Sequence, residues 1–316
     1  AFQDLKETKL QLAETEATVK LTRVFEKFVP KEFLNRIAPD GLENLQFGRA
    51  ETDFKTILFS DIRSFTRLSE SYSPQELLDF LNSYLRKMNP AIMNNRGFVD
   101  KFIGDAIMAI FDRPDKSDAE EARDAVNAGL CMLDVLEEIN TTLRASQKES
   151  VKMGIGIHSG NVIIGTIGYE ERMDSTVLGD TVNLASRLEN LTKYYGCSLV
   201  VSGATMKLIG NDGAHLFREL DLISVKGRVE PLQIYEIFDA DTPGLRQAKL
   251  DYRDELDHAI RLYRGRHFDE ARLRFEACKQ ACLDDPLAAI YIDRCQQHVA
   301  TPPDANWGGV HVFDHK

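Results

Sequence analysis

No stretch of the chain approaches the ~18 consecutive apolar residues that a membrane span requires. Ala1 to Lys6 also lack the charged-then-apolar pattern of a signal peptide. Cysteine is scarce: Cys131, Cys197, Cys278, Cys282 and Cys295 form no CxxC pair and no regular framework. An odd count at scattered spacing suits free thiols in a reducing cytosol, so a cytoplasmic location is expected. Cys278 and Cys282 can share a helix face, but a structural metal site needs four matched ligands. Basic residues are in deficit too. With 39 Lys and Arg against 50 Asp and Glu, the net charge is −11, which argues against nucleic-acid or anionic-membrane binding through bulk electrostatics. A small anionic ligand stays open, because local donors or bound cations can reverse the field at a site. The first residue is Ala rather than Met, which leaves room for an upstream sensor, regulatory domain or membrane anchor. What is present suffices for a real core: 316 residues, 43% of them hydrophobic, suit one large domain or two modest ones with accessories.

Residues 4–36 read as helix, rich in Glu, Lys, Leu and Ala, with no Gly before position 41. The seven-residue spacings Leu5/Leu12/Val19 and Leu10/Ala17/Val24 fit either a dimerising coiled coil or a surface helix packed on its own domain. Pro30 interrupts the helix, and residues 1–50 form one unit ending in a joint from Gly41 to Glu51. From Phe54 the pattern changes. Thr56 to Ser60 is a short buried strand ending at Asp61, and Ser73-Pro74-Gln75-Glu76 starts a helix. That helix carries Leu77, Leu78, Phe80, Leu81, Tyr84, Leu85 and Met88 towards a sheet. Phe98 to Phe111 reads as a β-hairpin turning at Gly104-Asp105. A helix over 118–143 follows, then strands at Val151–Ile157 and Gly160–Ile167, a helix over 183–195, and strands at 198–201 and 234–238. The interleaving predicts an α/β (α+β) sandwich of ferredoxin-like βαββαβ type over residues 51–240. Residues 241–316 read as helices without strand signal. Leu262 to Ala271, with Phe275 and Pro286, resembles one tetratricopeptide hairpin. A single copy cannot stack as a solenoid, so it packs on the α/β unit or on a partner, and Trp307 and Phe313 can dock with it.

Three pieces carry chemistry. Asp61 ends the first strand and Asp105 sits at the hairpin tip; on neighbouring strand ends the two carboxylates would hold hard cations such as Mg²⁺ beside a phosphate. Backbone N–H groups of the turn Ile62-Arg63-Ser64-Phe65-Thr66 would meet phosphate oxygens. Asn183 and Arg187, four apart, share a helix face. An amide and a guanidinium so placed can position a sugar and neutralise a phosphorus transition state.

Four segments then agree. Ile57-Leu-Phe-Ser-Asp-Ile-Arg-Ser-Phe-Thr66, Asp100-Lys-Phe-Ile-Gly-Asp-Ala-Ile-Met108, Gly154-Ile-Gly-Ile-His-Ser-Gly160 and Gly179-Asp-Thr-Val-Asn-Leu-Ala-Ser-Arg187 together resemble the class III nucleotidyl cyclase catalytic domain, in the family's order and spacing. The resemblance covers about residues 51–240 and implies that residues 20–50 are a helical transducing element. It implies two Mg²⁺ ions per site (or Mn²⁺) on Asp61 and Asp105, with the Ile62 carbonyl as a further ligand. It also implies Asn183 on the ribose and Arg187 on the α-phosphate, with Lys226 on the terminal phosphates and Arg228 as its rival. The implied reaction is in-line attack of the ribose 3′-oxygen on the α-phosphorus, giving a cyclic nucleotide and pyrophosphate. In the family the metal and base-reading sets meet across a subunit interface, so a homodimer with two equivalent sites is expected.

Lys101 and Thr176 fall at the family's base-reading positions. Lysine has only donors, which suits the N1 acceptor of adenine and conflicts with the N1–H of guanine. Thr176 discriminates weakly and resembles the subgroup with cyanobacterial and soluble-type members, some bicarbonate-responsive. Lys101 decides for ATP, and an adenylate cyclase in intracellular signal transduction is expected. The rivals are a guanylate cyclase, a diguanylate cyclase, whose hairpin signature Ile103-Gly-Asp-Ala-Ile107 does not carry, and a catalytically dead dimerising scaffold. His158 reads as a structural histidine at a strand end near the dimer contact rather than a general base.

Overall fold

The computed structural model describes residues 19–20, 50–169, 172–211, 213–225 and 230–313. The expected coiled-coil-like helix lies outside the described residues but for Val19 and Lys20. The described residues from 50 onward build a nine-stranded sheet with helices on both faces.

Strand β1 (Ala50–Ile62) is central: Ile57, Leu58 and Phe59 are all buried, so both of its faces are covered. Helix α1 (Phe65–Glu70) is a single turn and a half, and α2 (Pro74–Asn94) starts as its sequence predicts. Glu76 N–H donates to the Ser73 hydroxyl, Ser73 N–H donates to the Glu76 carboxylate, and Pro74 occupies the first turn. Of the face expected to pack, Tyr84 and Met88 are buried with Ala91 and Ile92, and Phe80 and Leu85 pack on the same core, while Leu78 is 55% exposed. Strands β2 (Phe98–Ile103) and β3 (Ala106–Phe111) form the hairpin, with Gly104 at φ +66° in its turn. Helix α3 (Asp118–Ala145) opens on a second capping box, Ser117 with Glu120.

Strand β4 (Met153–Tyr169) corrects the expectation of two strands. It runs unbroken through Gly154, Gly156 and Gly160, because β1 pairs with it from Ile62↔Met153 to Ala50↔Gly165. Its glycines serve the close approach of a helix, as shown below. Strand β5 (Arg172–Leu178) folds back on β4, and helix α4 (Asp180–Tyr195) follows. Strand β6 (Leu199–Ser202), helix α5 (Gly203–Ile209), strand β7 (Phe217–Val225) and strand β8 (Leu232–Ile237) complete the unit. The order is β2-β3-β1-β4-β6-β8-β7-β9, with β5 paired to β4. Its first four strands keep the ferredoxin-like arrangement, antiparallel throughout. Alternate residues serve two cores. Leu58, Ile107, Ala109 and Ile155 face α2 and α3; Ile57, Phe59, Met108 and Ile110 share the opposite cluster with Ala185 of α4 and Val177 of β5.

The tail has more structure than its sequence signals. Helices α6 (Pro243–Asp251), α7 (Arg253–Arg264), α8 (Phe268–Ala281) and α9 (Leu287–Ala300) are followed by strand β9 (His311–Phe313), which was not expected and pairs in parallel with β7. Between the two alternatives for the tail, packing on its own chain is what the core shows. Leu256, Ile260, Phe275 and Tyr291 form one apolar cluster with Leu188 and Tyr195 of α4 and Leu220 of β7. Trp307 packs on Tyr263 and Phe268, and Phe313 on Tyr194. Buried ion pairs join the layers: Arg218 of β7 to Asp285, and Arg294 of α9 to Asp221 of β7 at 2.6 Å.

Candidate functional site

The end of β1 and the β2–β3 turn bring the two predicted aspartates together. Ile62 N–H donates to the Asp105 carboxylate at 3.2 Å, which fixes the hairpin tip against the strand end. Burial, then the neighbouring Asp61 carboxyl, pushes Asp105 up to about 7. Two half-buried carboxyls side by side are a donor set that a hard divalent cation satisfies. Among the described residues no group of three His, Cys, Asp or Glu side chains could hold a metal ion, so further ligands have to be backbone carbonyl, water or substrate oxygens. Beneath the pair lies buried Tyr84, whose hydroxyl is shifted upward by burial and then by Asp105 and Asp61.

The turn after Ile62 is tight. Ser64 adopts φ +59°, and Phe65 and Thr66 begin α1. The Phe65 side chain packs into the core beside α2, so its offer to a phosphate is its backbone alone. Arg63 points the other way: its guanidinium donates to the Thr192 carbonyl at 3.1 Å and to the Cys197 carbonyl, at the C-terminal end of α4. The loop carrying Asp61 is therefore tied to the helix carrying Asn183 and Arg187, a link the sequence motif contains but does not announce.

Helix α4 lies unusually close to β4, and the glycines explain why. A Cβ on Gly156 would sit 2.1 Å from the Glu189 backbone nitrogen and 2.4 Å from the Ala185 carbonyl oxygen. On Gly154 it would meet the Thr192 hydroxyl at 2.2 Å. The sheet side of α4 holds Ala185, Leu188 and Glu189; burial, then Asp61, raises Glu189 to about 7, with Asp105 adding to the shift. Asn183 and Arg187 are exposed. At ~100° per residue, Arg187 projects roughly 200° away from Glu189, hence away from its own chain's aspartates. Glu189 is a neighbour that the sequence reading missed; its only signal is its place two residues after Arg187.

The two predicted base-reading residues meet directly. Lys101 Nζ donates to the Thr176 hydroxyl at 2.8 Å, although β2 and β5 are not paired in the sheet. Thr176 is buried, and Lys101 also lies 3.5 Å from Asp100. Lys226 and Arg228 lie outside the described residues. His158 is in the middle of β4, not at a strand end. It is buried in a hydroxyl cluster, 2.7 Å from Ser202, with Ser159 and Thr205 bonded alongside. That environment gives it a structural role.

A family model described as the adenylate and guanylate cyclase catalytic domain matches residues 49–238. The terminal-differentiation-specific adenylate cyclase of Dictyostelium discoideum is 40% identical over 282 residues, covering 89% of this chain and 13% of that protein. The adenylate cyclase of Anabaena cylindrica is 42% identical over 218 residues, covering 67% of this chain and 42% of that protein. The chain thus spans less than half the length of these relatives. Among solved structures, the adenylyl cyclase CyaB from P. aeruginosa matches with a TM-score of 0.55 at 34% identity, covering 60% of this chain and 96% of that one. No helix among the described residues is long and apolar enough to cross a membrane.

Proposed function

The chain belongs to the adenylate and guanylate cyclase catalytic-domain family, and we propose that it is an adenylate cyclase, converting ATP to 3′,5′-cyclic AMP and pyrophosphate in intracellular signalling. The observation that carries ATP over GTP is the Lys101 ammonium held 2.8 Å from Thr176. An all-donor group suits the adenine N1 acceptor and opposes the guanine N1–H. The Thr176 oxygen retains a lone pair for the adenine amine.

Family members are generally metal-dependent, and Asp61 and Asp105, with the Ile62 carbonyl, are the residues that would hold Mg²⁺ or Mn²⁺. When bound, two such ions would acidify the ribose 3′-hydroxyl and offset phosphate charge. The chain's own residues supply the rest. Asn183 orients the ribose so that its 3′-oxygen faces the α-phosphorus. The new 3′-oxygen–phosphorus bond forms as the bond to the bridging oxygen of pyrophosphate breaks, and the hydroxyl proton passes to solvent. Arg187 stabilises charge on the α-phosphate oxygens during this displacement, and backbone at Phe65 and Thr66 receives the phosphates. Positioning and charge stabilisation account for most of the rate gain.

The site is shared between two copies of the chain. In support, Arg187 projects away from its own Asp61 and Asp105 by the helix geometry above. Exposed Phe102, Ile103, Ile163, Ile167 and Leu178 on the hairpin and the β4–β5 arm offer an apolar surface for a second copy. The decisive assay incubates the protein with ATP or GTP and Mg²⁺ or Mn²⁺ and measures both cyclic nucleotides. Cyclic AMP from ATP is expected; cyclic GMP as the main product, or no product, overturns the reading. Cation binding should follow the proton on Asp105. Because that carboxyl is raised to about 7, protons compete below this value, so Mn²⁺ titrated calorimetrically should bind more weakly at pH 6 than at pH 8.

A further inference from the structure

Strand β2 changes register in its middle. Val99 lies opposite Ala109 and Lys101 opposite Met108, leaving Asp100 as the extra residue of a β-bulge. In a regular strand Lys101 would share the face of Val99, two residues earlier. Val99 and Ala109 belong to the core under α2 and α3, whereas Met108 belongs to the opposite core with β5 and α4. Residues directly opposed across a strand pair share a face. The bulge therefore carries Lys101 onto the face where β5 lies, and there its ammonium reaches Thr176.

Asp100 does not merely fill the bulge. Its side chain is 1% exposed, and neither carboxylate oxygen has a hydrogen-bond partner among the described residues. Lys101 Nζ lies 3.5 Å from it. Burial raises this carboxyl to about 6, Lys101 pulls it down, and Asp174 of β5 raises it further. A buried carboxyl without a hydrogen bond is costly, and a facing ammonium offsets that cost. An ammonium has three protons to donate: one goes to Thr176, a second is directed at Asp100, and one remains for the substrate.

We propose that Asp100 is a positioning residue for purine selection, with the bulge turning Lys101 towards the base and the buried carboxylate holding its ammonium in place for an acceptor on adenine. The proposal rests on Lys101 reading the base. It extends purine selection to a residue that never touches the nucleotide.

The test compares kcat/KM for ATP and for GTP in the full chain, Asp100→Asn, Lys101→Ala and the double variant. Asp100→Asn is expected to lower kcat/KM for ATP about tenfold, through KM more than kcat, and the ATP:GTP ratio by a similar factor. In the Lys101→Ala background the same change should alter neither value, because Asp100 acts through Lys101. The ratio does not depend on the folded fraction, so partial misfolding cannot imitate the effect. Where turnover is too slow to follow, fluorescent ATP and GTP analogues give the same comparison by binding. An unchanged ratio in Asp100→Asn, while Lys101→Ala lowers it, overturns the proposal, as does an equal effect with and without Lys101. If Lys101→Ala itself leaves the ratio untouched, the base-reading assignment fails and the proposal falls with it.

Discussion

Replacing Arg187 by alanine is expected to lower kcat ~10²–10³-fold, the range found when a preorganised donor to transition-state charge is removed. KM for ATP should change far less, because the guanidinium is assigned to charge that grows only as the α-phosphorus is attacked. Stability should be nearly untouched. The side chain is exposed, and α4 is seated by its other side, through Ala185, Leu188 and the glycines of β4. Arg187→Lys should recover only part of the rate, since a point charge lacks the planar fork. Steady-state kinetics with a melting curve on the same samples check this. A kcat within threefold of wild type at unchanged melting temperature would remove Arg187 from the chemistry.

The second large effect concerns stability. Arg218 is 2% exposed in β7 and donates to Glu236 at 2.6 Å, to the Tyr252 hydroxyl at 2.6 Å and to Asp285 in the tail. Lys249 binds the other oxygen of Glu236 at 2.7 Å. Arg218→Ala would leave Asp285 without its cation and Glu236 with Lys249 alone, deep between sheet and tail. Breaking one partner out of a buried pair costs about 3–5 kcal/mol, measurable as a lower urea midpoint at unchanged slope. The loss should be smaller at pH 5 than at pH 8. Stranded carboxyls have raised folded-state pKa values, so lowering the pH neutralises them and restores stability. A loss below about 1 kcal/mol would mean the network is solvated in solution. Activity should fall with stability, because the tail also braces α4. Pro286 packs on Gly196 at its C-cap, where an added Cβ would lie 2.4 Å from the ring, and Tyr194 packs against Phe313 and Arg294.

Much of the site is legible because its residues sit in contiguous motifs at element ends. A strand ending in Asp61, a turn holding Asp105 and a helical Asn183/Arg187 spacing each announce themselves. The hairpin, the Ser73-Pro74 start of α2 and the ferredoxin-like strand order follow from pattern as well. Three features do not. The break expected between residues 157 and 160 is absent, and the reason for glycine at 154, 156 and 160, room for α4 to approach β4, is a tertiary contact that strand pattern does not show. The face of Lys101 is misjudged by a strict period of two, since the extra residue Asp100 becomes visible only from the pairing of β2 with β3. The tail's anchors join residues far apart in sequence, Arg218 to Asp285 and Asp221 to Arg294, and each alone looks like an ordinary surface charge. Strands β5 and β7 were missed for a related reason. Their charged residues mask the alternation, and in β7 two of them, Arg218 and Asp221, are buried in ion pairs.

The central claim is a cyclase site assembled from two chains, with Asp61 and Asp105 from one and Lys101, Asn183 and Arg187 from the other. It is tested most directly by mixing Asp61→Ala with Arg187→Ala chains, each of which alone should run at no more than about a hundredth of the wild-type rate. Random pairing makes half of the dimers mixed, each with one intact site of two, so cyclic AMP formation should return to about a quarter of the wild-type rate. No recovery, when tagged chains are shown to pair, would contradict the shared site.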